Sequence, residues 1–317
     1  PSEWILKKIG CPESFTEPFH LYNIARERGM THVTITDHNC IEGALAIAHL
    51  PGAFVSEEVT TYFPEDNCKL HVLVYNINES QHRDLQHIRS NVLEMVPYLY
   101  DQKIFHILAH PLYAVNNKLT ADHFEKVLLL FKNFELNGAR NHRENQRLVQ
   151  ILNTLSPEMI ARFEDKHRLG CFGGDPWDKR IFGGSDDHSS LNIARTYTEL
   201  KGASIAEFTL PSLARFRPRA HIRPASPQTM AHNIYCDCTG SAPWPEMVRL
   251  SVGGLNRYYL CYACERVREE IGQPDGAIAG VQYHDLTSDT LSRAAREQAE
   301  ELLRLRGYEQ GRLFGEG

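Results

Sequence analysis

The chain has 317 residues, 42% of them hydrophobic and 23% charged, with a formal net charge of −6. That is the balance of an ordinary globular protein, long enough for one large domain and a small one, or for two medium ones. It supplies no overall basic field for nucleic acid or an anionic membrane surface, and no apolar run approaches the roughly 20 residues of a membrane helix.

In chain order, Thr16-Glu17-Pro18 reads as an N-cap and acidic first turn, opening a helix that Gly29 stops. Residues 32–36 (HVTIT) read as a strand, 42–50 as an apolar stretch, and 53–55 and 70–75 as strands around a polar loop with Pro64, Asp66 and Asn67. One long helix is expected over about 81–100, then a strand at 104–108, a helix at 120–131 and a short strand around Phe134. Helical patterns at 143–155 and 157–167 precede a Gly-rich loop and a strand at Ile181-Phe182. Alternating short β-branched runs and helices predict βα units around a parallel sheet or barrel. Beyond about Glu207, prolines alternate with Arg215, Arg217, Arg219 and Arg223, which suits an extended linker or wrap. A paired-cysteine segment follows, from about 236 to 271, and then an amphipathic helix over 292–306. The expected division is therefore 1–207, 208–232 and 233–317.

Chemistry gathers where the strands end. Asp37 and His38 follow the first run, Glu57 and Glu58 the second, and His110 the fourth. His71 lies near the start of its strand, Glu135 stands beside Phe134, and Asp186, Asp187 and His188 follow Ile181-Phe182. A single histidine after a strand is usually a surface or capping residue, and Glu57-Glu58 alone reads as a solvated pair. Six successive strand ends carrying His, Asp or Glu are harder to reach by accident. In a βα barrel such ends converge on one mouth, and a mixed nitrogen and oxygen set there suits zinc, manganese or iron.

The strings ITDHN (35–39), EEVTT (57–61), HVLVYN (71–76), LAHP (108–111) and GGSDDHS (183–189) resemble, in order, motifs of the PHP family, named for its polymerase and histidinol-phosphatase members. The resemblance runs from about residue 14 to 200. It implies a distorted (β/α)7 barrel that binds up to three divalent metals and hydrolyses phosphoesters. Carried over by motif, His38, Glu58, His71, His110, Asp186 and His188 would be metal ligands, with Glu58 bridging two ions. Asp37, Glu135 and Asp187 would orient them, with Asp37 counted alongside Arg195 as catalytic. Arg140, Arg143 and Arg195 are candidates for gripping phosphate, Arg195 foremost because it closely follows the last motif. One departure is plain. The family's opening H-x-H is absent, and His20, placed mid-helix, is no substitute. The ligands expected around Glu58, His71 and His110 remain, whereas the site sharing Glu58 and Asp186 is short of donors.

The eight cysteines divide into scattered residues and two close pairs. With no charged-then-apolar leader, Cys11, Cys40, Cys68 and Cys171 are expected to be free thiols in a reducing, cytoplasmic compartment. Cys236-x-Cys238 and Cys261-x-x-Cys264 suit a structural zinc, with reduced core thiols or a redox pair as alternatives. The sequence thus points to a phosphoesterase that uses metal-activated water on a small phosphorylated metabolite or nucleotide. The alternative is a non-catalytic scaffold of the same ancestry with a zinc-binding interaction module. Nuclease action is disfavoured by the acidic balance.

Overall fold

The computed structural model describes residues 16–140, 142–188, 192–201 and 216–223, and the backbone of 249–252 and 255–258. The chain divides into two units, one of residues 17–186 with 192–225, the other of 1–16, 187–191 and 226–317.

The first unit opens with α1 (Pro18–Glu27). Pro18 at its first turn has no N–H to leave unpaired, and Glu17, one residue later than expected, caps it by accepting from the His20 N–H. Residues 32–38 then run extended and pair in parallel with 53–58 through single bridges, Val33 with Ala53 and His38 with Glu58. Helix α2 (Glu42–Ile47) fills the connection. β1 (Ser56–Tyr62) and β2 (Lys69–Tyr75) form an antiparallel hairpin. The polar loop between them is too short for the crossover a parallel pair needs, and Asn67 turns it in the left-handed region.

The single long helix expected over 81–100 is two, α3 (Glu79–Ile88) and α4 (Val92–Asp101). Asn91 breaks it, its side chain accepting from the Leu93 N–H as the cap of the second helix. β3 (Phe105–Leu108) pairs antiparallel with β2. Beyond it the expected pattern holds: α5 (Ala121–Leu130) leads to β4 (Asn133–Asn137), then α6 (His142–Asn153) and α7 (Pro157–His167) lead to β5 (Arg180–Gly184). β3, β4 and β5 are parallel neighbours. β6 (Tyr197–Glu199) and β7 (Arg219–His221) form a small antiparallel pair.

The order β1-β2-β3-β4-β5 is a mixed sheet, so the α/β class holds while the all-parallel arrangement does not. Among the described residues no ladder closes it into a barrel. Strand alternation sorts the faces. Val59, Val72, Val74, Leu108, Phe134 and Leu136 pack on one face with Leu85, Met95, Leu99, Val127 and Leu148 of the helices. Leu73, Phe105, Ile107 and Phe182 form a smaller cluster on the other. That second face, away from the helices, is the one the candidate site shares.

In the second unit β8 (Arg249–Val252) and β9 (Leu255–Tyr258) pair antiparallel. Cys236, Cys238, Cys261 and Cys264, the helix expected over 292–306 and most of the Pro/Arg-rich linker lie outside the described residues.

Candidate metal centre

Register places the side chains. On the β1–β2 hairpin Thr60 faces His71 and Glu58 faces Leu73, so Glu58 and His71 are diagonal neighbours on the helix-free face. The parallel bridge to Glu58 brings in His38. Ala109 donates its N–H to the His71 carbonyl, which carries the chain past β3 and sets His110 beside the pair.

There the donors converge. His71 Nδ1 lies 2.8 Å from Glu58 Oε1, His110 Nε2 lies 3.3 Å from the same oxygen, and the two nitrogens are 3.2 Å apart. His38 Nδ1 stands 3.9 Å from Glu58 Oε1, and one ligand atom from each of His38, Glu58 and His71 fits within 4.8 Å of the others. Bonds of about 2.0–2.1 Å to a tetrahedral or octahedral ion put neighbouring donors about 2.8–3.4 Å apart. The three separations at Glu58, His71 and His110 match that edge. Protons alone serve the cluster badly, because two imidazole nitrogens aimed at one carboxylate oxygen also face each other. The donor set therefore fits a divalent cation.

The electrostatics agree. Burial would raise the Glu58 carboxyl, but His110 and His71 outweigh it and hold the group well below the usual range. Burial lowers His71, favouring its neutral, ligating form. His110 is raised despite burial, because Glu58 accepts from it.

His110 occupies the left-handed region at φ +28°, as do Asn39 and Asp186 nearby in sequence to other candidate ligands. For non-glycine residues this is strain that the surroundings must hold. Glu135 does so at His110: its Oε2 accepts the His110 backbone N–H at 2.9 Å. Asn137 donates to that same carboxylate at 2.9 Å and to Asp186 Oδ2 at 3.0 Å. Glu135 is 4% exposed, and burial together with the Asp186 charge raises its pKa. Its carboxylate packs so closely on Gly184 that a Cβ there would lie 2.1 Å from Oε1. Asp37 meets Gly43 in a similar way, at 2.5 Å.

The Glu57-Glu58 pair is not solvated. Glu57 is wholly buried on the helix side of β1, where His82 Nδ1 at 2.9 Å and Gln86 Nε2 at 3.1 Å meet its carboxylate. Its neighbour faces the other way into the site, because successive strand residues alternate. Of the arginines, Arg195 donates to Asn192 at 2.8 Å within its own turn, Arg143 is exposed, and Arg140 stacks on Tyr113. Asp187 and His188 belong to the second unit. Asn137 and His82 were missed in the sequence. Asn137 was within reach, since it lies two residues from Glu135 on a strand and must share its face.

These features define a mixed α/β protein with a candidate metal centre of three histidines and a glutamate. No family model matches the chain, and no curated protein does. Among solved structures it is similar to PsfC from Pseudomonas syringae, at 10% identity and a TM-score of 0.42 over 70% of this chain and 87% of that one. It is also similar to a candidate metal-dependent phosphoesterase from Bifidobacterium adolescentis, at 15% identity and a TM-score of 0.36 over 56% and 84%. A third is a two-domain protein from Bacteroides vulgatus containing a PHP-like metal-dependent phosphoesterase, at 14% identity and 0.42 over 71% and 66%.

Proposed function

We propose that the chain holds divalent metal at His38, Glu58, His71 and His110, and hydrolyses a phosphoester of a small phosphorylated metabolite or nucleotide. The observation that carries this reading is the convergence of two imidazole nitrogens and one buried carboxylate oxygen at the edge lengths of a coordination polyhedron. Bound there, a cation would supply an activated water and offset the charge on a phosphoryl group.

The protein's own part is positioning. Glu58 stays ionised and presents one oxygen to both imidazoles. His71 offers Nδ1 and His110 offers Nε2, so each ring is fixed by which nitrogen it turns inward. Glu135 pins the backbone of His110, and Asn137 links that carboxylate to Asp186, so ligands from the ends of β3 and β5 move as one.

Stripping the protein with a chelator and restoring Mn²⁺ or Zn²⁺ on an aryl phosphate tests the reading. Turnover that disappears with the metal and returns with it is expected. Metal uptake at this cluster without turnover on any phosphoester would instead favour the scaffold reading.

A further inference from the structure

Beside His110 lies a small recess of about 10 Å³, room for about one water, open to solvent and lined by Glu135, Asn137, Arg140, Glu144 and Asn145. Most of its polar groups are already engaged. Glu135 and Asn137 bond to each other, and Asn145 Nδ2 donates to the Asn137 carbonyl. Arg140 is different. Its Nε is buried and has no hydrogen-bond partner among the described residues. Sealed from solvent, that Nε is out of a ligand's reach as well, so a ligand would meet the terminal N–H groups of the guanidinium.

The arginine is held in place for such a ligand. Its guanidinium carbon lies 3.6 Å over the Tyr113 ring, and that ring meets His110 edge-on at 5.6 Å between centroids. A stacked guanidinium keeps its in-plane N–H groups free to bond outward. The turn that carries it is rigid as well: Gly138 donates to the Gly184 carbonyl at 2.8 Å and Ala139 to Asn137 Oδ1 at 2.8 Å. A Cβ on Gly138 would stand 2.7 Å from Thr196 Oγ1 and 2.9 Å from the Ser185 carbonyl, so only glycine fits.

We propose that Arg140, seated on Tyr113, is the phosphate-binding residue of this site and takes an oxygen of the substrate's phosphoryl group, or of product phosphate, at the mouth of the recess beside His110. This rests on the hydrolase reading and deepens it, and it favours Arg140 over Arg195, whose Nη1 already donates to Asn192.

The test is calorimetric titration of the metal-loaded full chain with inorganic phosphate, which needs no turnover. Arg140→Met should weaken binding at least about tenfold, the loss of a charge-assisted pair. Arg140→Lys should recover only part, since an ammonium lacks the planar fork. Arg162→Met, at an exposed position of α7, should change nothing. Phosphate bound equally well by Arg140→Met and Arg140→Lys, or not bound by the metal-loaded wild type, overturns the proposal. Arg140-dependent binding without ester turnover would leave the anion site standing and remove the hydrolase. Turnover with phosphate binding independent of Arg140 would do the reverse.

Discussion

His106 on β3 should make the fold acid-sensitive in a way that one substitution removes. The residue is fully buried, its Nδ1 meets the Ile104 carbonyl at 2.9 Å, and its Nε2 has no partner among the described residues. Tyr100 and Phe131 pack around the ring, at 5.0 and 6.0 Å between centroids. Desolvation therefore pushes the imidazole down to about 4 from its ordinary 6.5. A group whose folded pKa is depressed stabilises the fold fully above its unfolded pKa and loses that contribution as pH falls toward the folded one. A gap of about 2.5 units is worth about 3 kcal/mol in full, most of it spent between about pH 7.5 and about pH 4.5. Urea unfolding followed by circular dichroism at those two pH values, on the wild type and His106→Phe, reads it directly. The wild type should lose about 2.5 kcal/mol more than the variant over that interval. Equal losses would show that His106 carries a proton inside the fold, and the reasoning would fail.

Two further outcomes follow from the site. Gly184→Ala should displace the Glu135 carboxylate and loosen His110, weakening metal binding about 10- to 100-fold while the far-UV spectrum holds. Unchanged affinity in a folded Gly184→Ala protein would free Glu135 of its positioning role. Metal affinity should also fall with acidification, because the raised His110 must lose its proton to ligate, whereas Glu58 is ionised throughout and His71 is already biased to the neutral form. Below the His110 pKa the decline should approach about tenfold per pH unit, and a flat profile down to about pH 5 would contradict it.

Much of this site was legible in the sequence because its chemistry sits on short, strongly patterned segments. His38, Glu58, His71 and His110 each flank or lie in a β-branched run, and the structure brings each of the three histidines to Glu58. The local rule that ligands follow strands was only partly right. Glu58 and Glu135 lie inside β1 and β4, and their side chains reach the site because alternation puts them on its face. Strand direction was not legible, since hydrophobic period is the same in parallel and antiparallel pairs. Only the short loop at Pro64 and Asn67 could have signalled the hairpin. The packing that distinguishes the arginines was not legible either: Arg195 was favoured for its place in the chain, while the shelf under Arg140 is Tyr113, 27 positions away and joined only by folding. The paired cysteines keep their zinc reading as an expectation, since they lie outside the described residues.

A cation at Glu58, His71 and His110 underlies every function proposed for this site. Calorimetric titration of the chelator-treated protein with Mn²⁺, an ion that thiolates bind poorly, separates this cluster from the cysteines. The wild type should take up at least one equivalent, and Glu58→Gln, which keeps the shape and removes the charge, should weaken it at least about hundredfold. Equal uptake by both proteins, or none by the wild type, would contradict the assignment.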